Sequence, residues 1–136
     1  MQIEIIFTLL CFYALEEINI DTDRLTDRYR ELKENLTRLI NRPKTRGYRD
    51  NIRSIAEEFK RIYHQRYDND QIITFTQNIM HKNIDILRKI DGVNTCTMKY
   101  DNIICEVEGY QQVELIKKSI DYNGSFEIRV IDYVDR

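Results

Sequence analysis

The stretch VNTCTMKYDNIICEVE, residues 93–108, decides the fold of this chain. Apolar and polar side chains alternate in it on both sides of the polar pair Asp101-Asn102. The apolar positions are Cys96, Met98 and Tyr100 before the pair and Ile103, Cys105 and Val107 after it. This period of two is typical of antiparallel strands with one face buried and the other in water. We therefore predict a β-hairpin formed by Val93–Tyr100 and Ile103–Glu108.

The segments around the hairpin complete a small α+β unit. Gln71–Thr76 is predicted as the first strand and Gln77–Ile90 as the first helix, while Gln111–Ile120 is the second helix and Phe126–Tyr133 the last strand. The order strand, helix, strand, strand, helix, strand is the βαββαβ split motif. The predicted fold class is α+β, with a ferredoxin-like sandwich over residues 70–136. Because this fold supports many unrelated functions, it does not by itself identify one.

The first of these strands has an alternative. Residues 71–76 are rich in β-branched and aromatic side chains, which favours a strand. However, Ile72, Ile79 and Ile86 also share one broad face of a helix, so a single continuous helix remains open. Gly92 is expected to end that helix in either case, because glycine is common just after a helix C-terminus.

Residues 16–67 show the seven-residue spacing of two amphipathic helices. Apolar side chains recur at alternating intervals of four and three residues, which is typical of a coiled coil or a helical hairpin. Pro43 separates the helices, since proline disfavours helix in the residue before it. Either the two helices fold back on each other, or they form one kinked stalk that faces a second chain. The predicted seam consists of Ile18, Leu25, Tyr29, Leu32, Leu36, Leu39, Tyr48, Ile52, Ile55, Phe59 and Ile62.

The first 15 residues form an apolar segment with three interpretations. Ile5–Leu15 carries no charge, but as a helix it would span about 17 Å, well short of the roughly 30 Å of a bilayer core. It is a buried element of the fold, a short membrane anchor, or an interface with a partner. Membrane contact through residues 3–15 therefore stays open. The lack of Lys or Arg ahead of the segment argues against a signal peptide.

Composition argues against several classes of protein. The chain has 136 residues and a formal net charge of −2, whereas nucleic-acid-binding proteins present strongly basic surfaces. Its three cysteines, without a CxxC pair or a Cys/His cluster, predict neither a disulfide framework nor a zinc site. With Asp101-Asn102 as the turn, Cys96 faces Val107 and lies diagonal to Cys105, roughly 7 Å away. That separation is at the limit for a disulfide, so we expect buried core thiols.

The sequence contains none of the short motifs that build a catalytic or phosphate-binding site. The patterns GxGxxG, GxxxxGK(S/T), HExxH and GxSxG and the EF-hand loop are all absent. The two histidines, His64 and His81, have no cysteine or carboxylate at ligand spacing on the same helix face, so surface positions are expected. We predict no catalytic residues, no cofactor, no metal and no enzymatic activity.

One cluster of positive charge surrounds the link between the two helices. Its members are Arg38, Arg42, Lys44, Arg46, Arg49 and Arg53. A solvated helix end explains such a cluster, because cations are favourable near a helix C-terminus. The alternative is a contact surface for an acidic partner or for anionic lipid headgroups.

Four short sequence features lie at the boundaries of the elements predicted within residues 86–134. Gly92-Val93 follows a helix, Asp101-Asn102 divides two strands, Gly109 ends the second strand and Ser125-Phe126 begins the last one. In this respect the segment resembles the globular end of the inner-membrane assembly proteins of type IV pili, of the PilN/PilO kind, and their type II secretion counterparts. The resemblance implies an N-terminal membrane helix, a coiled coil and a ferredoxin-like domain. It also implies association with the cell inner membrane, with a cytoplasmic location as the alternative.

Together these observations predict a non-enzymatic scaffold that binds another protein. The seam is expected to form a homodimer or a heterodimer, within an envelope assembly as the resemblance implies. The alternative function is a small-ligand-binding or regulatory domain that uses the open face of the sheet. Thr95, Thr97, Ile104 and Glu106 would line that face. No nucleic acid is expected as a partner.

Overall fold

The computed structural model describes residues 1–18, 26–42, 46–99, 101–120 and 126–131. Within these ranges the chain forms five helices and one four-stranded antiparallel sheet, so the predicted α+β class is confirmed. The elements are β1 (Gln2–Ile6), α1 (Leu10–Ile18), α2 (Thr26–Asn41), α3 (Tyr48–Arg66), α4 (Asn69–Arg88), β2 (Val93–Met98), β3 (Asn102–Val107), α5 (Tyr110–Ser119) and β4 (Glu127–Val130).

The N-terminal strand lies in the middle of the sheet. The strand order is β2-β3-β1-β4, and β1 pairs antiparallel with both β3 and β4. Ile3 lies opposite Cys105 on one side, and Ile5 lies opposite Ile128 on the other. The sheet therefore joins the apolar start of the chain to the predicted hairpin.

The two faces of the sheet differ in burial. Ile3, Ile5 and Ile103 are 0% exposed and point towards the helices, where α4 packs on β2 and α5 packs on β3. On the opposite face, Thr97 is exposed and Glu4 is partly exposed. Each strand alternates between these faces because successive side chains of a strand point to opposite sides.

The rest of the apolar N-terminal segment is buried against helices. Phe7, Leu10 and Leu15 are at most 6% exposed, and α1 packs against both α3 and α4. This burial agrees with the first of the three interpretations of the segment, in which it is a buried element of the fold. None of the helices in the described ranges combines the length and apolar character that a bilayer crossing requires.

The strand predicted over Gln71–Thr76 is wrong, because these residues lie in the first two turns of α4. Asp68 caps the helix: its carboxylate accepts a hydrogen bond from the Gln71 backbone N–H at 2.8 Å, and the Gln71 side chain accepts one from the Asp68 backbone N–H at 3.1 Å. This reciprocal capping box fixes a helix start at the place where the strand was expected. Thr76, although β-branched, is satisfied within the helix because its hydroxyl donates to the Ile72 carbonyl at 2.8 Å.

The hairpin forms as predicted but with a different pairing. The Lys99 backbone N–H donates to the Asn102 carbonyl at 2.8 Å, so the pairing of the two strands closes at residues 99 and 102 in place of the predicted 100 and 103. Cys96 consequently lies opposite Cys105, and the predicted diagonal arrangement is wrong. Moving the turn by one residue shifts the pairing by two, which keeps Cys96, Met98 and Cys105 on the predicted buried face. A bulge between Val93 and Thr95 interrupts the pairing at the start of β2.

The last two elements agree with the prediction in place and type. α5 spans Tyr110–Ser119, one residue earlier than predicted, and β4 spans Glu127–Val130 inside the predicted Phe126–Tyr133. The end of that predicted strand, residues 132–133, lies outside the described residues.

Candidate functional site

Most residues of the predicted seam are buried inside the chain. The seam of α2 packs against the seam of α3, and the Tyr29 ring meets the Phe59 ring edge-on with centroids 5.7 Å apart. Ile18 and Leu39 are half-buried, and Leu25 lies outside the described residues. The seam residues at 9% exposure or less are Tyr29, Leu32, Leu36, Tyr48, Ile52, Ile55, Phe59 and Ile62.

The predicted basic cluster divides into paired and unpaired cations. Arg38 lies 3.7 Å from Glu34, and Arg53 lies 2.7 Å from Glu127. The side chains of Arg42, Arg46 and Arg49 are exposed and have no ion-pair partner within the described ranges, while Lys44 lies outside those ranges.

A cleft of about 280 Å³ lies between α3 and one end of the sheet, and we call it the α3–sheet cleft. Ile6, Glu127 and Arg129 form its floor on the open face of the sheet, and residues of α3 form its wall. The loop between β1 and α1 closes one side. The lining residues are Ile6, Phe7, Thr8, Leu10, Cys11, Arg53, Ala56, Glu57, Lys60, Asp101, Glu127 and Arg129.

Ion pairs hold two of the cations that line the cleft. The Arg53 guanidinium donates from Nε at 3.1 Å and from Nη2 at 2.7 Å to one oxygen of Glu127, whose side chain is 18% exposed. Arg129 lies 3.8 Å from Glu4. Lys60 is exposed and has no carboxylate within ion-pair distance among the described residues, so its charge is available to a ligand.

Cys11 is a buried residue that lines the cleft. Burial raises the pKa of this thiol to about 11, and the nearby Lys60 acts in the opposite direction. The thiol therefore stays protonated at neutral pH, which makes it a weak nucleophile because the thiolate is the reactive form.

The open face of the sheet continues from the cleft. Thr95 lies opposite Glu106, and Thr97 lies opposite Ile104, so the four residues predicted for this face form one block. Glu4 is the next residue across the sheet from Ile104, and it accepts a hydrogen bond from the Asn102 side-chain amide at 3.2 Å. The block and the cleft are thus connected along one surface.

A second concavity of about 460 Å³ lies between α1 and α4. It is bordered by Ile120 and Phe126, and the residues between these two lie outside the described ranges. The lining residues of the α3–sheet cleft all lie within the described ranges, and we take this cleft as the candidate site.

The two histidines lie on the protein surface, as predicted. His64 and His81 are both exposed, on α3 and α4 respectively. Within the described part of the chain, no three His, Cys, Asp or Glu side chains come together in a way that would hold a metal ion.

The α3–sheet cleft could not be located from the sequence. Its floor comes from β1 and β4 and its wall from α3, which are far apart along the chain. Arg53 was noted as part of the basic cluster, but Lys60, Glu127 and Arg129 carried no sequence signal. No family model, curated protein or solved structure matches this chain.

Proposed function

We propose that this protein is a non-enzymatic interaction module that binds an acidic segment of a partner protein at the α3–sheet cleft. The observation that carries the proposal is the row of cations along α3. Arg49, Arg53 and Lys60 are spaced by four and seven residues, which places them on one face of the helix. Arg53 and Lys60 line the cleft itself. Glu57 lies between Arg53 and Lys60 on the same face. Because Arg53 also pairs with Glu127, the cations that this face offers to the carboxylates of a partner are Arg49 and Lys60.

The size of the cleft favours a protein segment over a cofactor. At about 280 Å³ it lies below the usual range of small-molecule pockets, roughly 300–1,000 Å³, but it accommodates a side chain. Ile6 and Ala56 supply apolar contact, and the adjoining sheet face supplies exposed Thr97. An extended segment could therefore place one apolar side chain in the cleft and its carboxylates along α3.

The titration behaviour of the buried groups supports binding over nucleophilic chemistry. Burial raises the pKa of Cys11, the thiol that lines the cleft, and of Tyr29, so both groups are harder to ionise than usual. Nucleophilic thiols in enzymes show the opposite shift.

The buried seam supports a structural role for the predicted coiled-coil residues. A side chain that is already enclosed within its own chain contributes little to a second interface unless the helices separate. We therefore assign the seam to a helical hairpin of α2 and α3 within the chain, and we assign partner binding to the cleft.

The strand order supports a ferredoxin-like topology with a different first strand. We propose that β1, α4, β2, β3, α5 and β4 form the βαββαβ unit, with α1, α2 and α3 inserted between β1 and α4. The resemblance of residues 86–134 to pilus and secretion assembly proteins supports the scaffold role. An envelope assembly is accordingly the proposed setting.

Fluorescence anisotropy with a labelled decapeptide of alternating glutamate and leucine tests the proposal. We expect binding that weakens with salt, and a loss of about tenfold in affinity for each of Arg49→Glu and Lys60→Glu. Lys89→Glu, an exposed charge reversal at the far end of α4, is the matched control and should bind like the wild type. Equal affinity in all four proteins, or no binding at low salt, would refute the proposal.

The open sheet face supports a second candidate function, a small-ligand or regulatory site. The pairing places Thr95 beside Glu106 and Thr97 beside Ile104, which gives hydroxyl, carboxylate and aliphatic groups within one block. A thermal-shift screen of small polar metabolites checks this candidate, because a bound ligand raises Tm by mass action. A shift that disappears in Thr97→Val while remaining in Lys89→Glu would favour it over the acidic segment.

A further inference from the structure

Cys96 and Cys105 place two thiols in contact across the hairpin. The residues are direct partners in the pairing of β2 with β3, and their Sγ atoms lie 3.1 Å apart. The pair lies on the face of the sheet that carries the helices, opposite the block of Thr95, Thr97, Ile104 and Glu106. It is therefore separate from the surface assigned to partner binding.

The backbone around the pair suits a disulfide. The bond from Lys99 N–H to the Asn102 carbonyl makes residues 99 and 102 a hydrogen-bonded pair. Antiparallel pairs alternate in type, so Cys96 and Cys105, three residues further along each strand, form a non-hydrogen-bonded pair. Such pairs have Cα atoms about 4.5 Å apart, within the range of about 4.4–6.8 Å found for disulfides. The sulfurs need to approach by about 1 Å to reach bonding distance.

The two thiols differ in access to solvent. Cys105 is 0% exposed and lies between Cys96 and Ile3 in the middle of the sheet. Cys96 is half-buried on β2, which lies at one edge of the sheet. A reagent from solvent therefore meets Cys96 first, and Cys105 is positioned to resolve the product.

We infer that Cys96 and Cys105 form a reversible dithiol–disulfide site that reacts with low-molecular-weight disulfides such as oxidised glutathione. In the first step the Cys96 thiolate attacks one sulfur of the small disulfide. A new S–S bond forms to Cys96, the S–S bond of the reagent breaks, and one small thiolate leaves and takes up a proton.

In the second step Cys105 completes the exchange. Burial raises the pKa of Cys105, so its proton leaves only as its sulfur attacks the Cys96 sulfur of the mixed disulfide, and the departing small thiolate takes that proton up. The Cys96–Cys105 bond forms, and the second small thiolate leaves and is protonated. Two protein thiols are oxidised and one small disulfide is reduced to two thiols. The product ties the edge strand covalently to its neighbour.

Peptide mass spectrometry of the folded full chain tests the inference. The chain is equilibrated in mixtures of reduced and oxidised glutathione, quenched with acid, alkylated and digested with trypsin without reduction. Because trypsin cleaves after Lys99, a Cys96–Cys105 disulfide joins two separate peptides, residues 90–99 and 100–117. We expect this crosslink in the wild type and in Cys11→Ser, and its absence in Cys96→Ser.

The equilibrium constant for disulfide formation shows whether the fold favours the Cys96–Cys105 bond or whether the two thiols react as they would in an unfolded chain. We expect the equilibrium constant for disulfide formation against glutathione to be about tenfold or more larger in the folded chain than in the urea-unfolded chain. Three results overturn the inference: both thiols stay reduced in excess oxidised glutathione, the reaction stops at a mixed disulfide on Cys96, or folded and unfolded chains give the same constant.

Discussion

The ring of Phe12 on α1 lies 4.7 Å from the ring of Phe59 on α3, measured between centroids. Phe59 is 0% exposed, and its ring also contacts Tyr29 of α2 edge-on. A single side chain on α3 thus joins three helices, and each of these carries at least one residue of the predicted seam.

Phe59→Ala should lower the free energy of unfolding by about 3–5 kcal/mol, because it removes a buried ring and leaves a cavity between the three helices. Urea denaturation followed by circular dichroism measures the loss. Arg61→Ala, an exposed position on the same helix, is the control and should change stability by less than about 0.5 kcal/mol. A loss below about 1 kcal/mol for Phe59→Ala would contradict this packing.

Leu32→Glu tests the burial of the seam, and dilution of the wild type separates a seam that is closed within the chain from one that joins two chains. Leu32 is 1% exposed, so a carboxylate there should unfold the chain or cost several kcal/mol. If the seam is internal, the Tm of the wild type stays constant over a hundredfold dilution, whereas a dimer seam makes Tm depend on concentration. Differential scanning fluorimetry at several protein concentrations gives the answer.

Gly92→Ala should be more destabilising than Gly47→Ala. Both glycines have positive φ, 89° and 86° respectively, so alanine at either site costs about 1 kcal/mol in backbone strain. At Gly92 an added Cβ would also lie 2.4 Å from the Gln112 side chain, whereas nothing lies within 4 Å of the equivalent position at Gly47.

Substitution of Gln112 tests whether the clash with its side chain causes the extra cost of Gly92→Ala. Its side chain accepts a hydrogen bond from the Gly109 N–H at 2.9 Å, which a displaced side chain would lose. In a double-mutant cycle measured by urea denaturation, Gln112→Ala should therefore reduce the extra cost of Gly92→Ala. Additive effects of the two substitutions would show that the clash carries no energy.

Asp68→Ala should cost about 1 kcal/mol, because it removes the side-chain cap of α4. Asp70→Ala is the matched control, since Asp70 is an exposed acidic residue in the first turn of the same helix but is not its N-cap. Chemical denaturation of both variants measures the difference. Equal losses would mean that the charge, and not the capping hydrogen bond, stabilises the start of the helix.

Stability should fall between about pH 9 and pH 11, with Cys11 as one cause. Burial raises the pKa of its thiol from the ordinary value of 9.0 to about 11. Above pH 9 the unfolded chain releases this proton while the folded chain retains it, so rising pH favours unfolding. The contribution of Cys11 is fully present below pH 9 and amounts to about 2–3 kcal/mol lost by pH 11.

Cys11→Ala tests this contribution through the slope of stability against pH. The variant should lose less stability than the wild type between pH 9 and pH 11, even if its stability at pH 7 is lower because of the smaller side chain. Identical slopes in the two proteins would show that the thiol does not titrate differently on folding. Free energies from urea denaturation at five or six pH values are sufficient.

Local patterns in the sequence predicted much of the helical and hairpin structure. The seven-residue spacing of the seam predicted helices where α2 and α3 lie. The alternation around Cys96 and Ile103 predicted the hairpin and which of its faces is buried. These patterns succeed because they depend on neighbours a few residues apart. The position of α5 was predicted for the same reason.

Features that depend on distant partners were not predicted. The strand Gln2–Ile6 takes its place from β3 and β4, and nothing in residues 2–6 identifies those partners. The β-branched residues 71–76 favoured a strand, but the capping box of Asp68 and Gln71 and the apolar helical face outweigh that propensity. The α3–sheet cleft was missed because its wall and floor meet only in the folded chain.

The central place of β1 also sets the order of events during synthesis. The strand leaves the ribosome well before its two neighbours in the sheet, because β3 and β4 lie far downstream in the chain. Closing contacts over roughly a hundred residues is entropically expensive and slow compared with forming the helices in between. The nascent chain therefore exposes this aliphatic strand without its partners until β3 and β4 have been synthesised, which makes that segment a place for chaperone binding or misassembly.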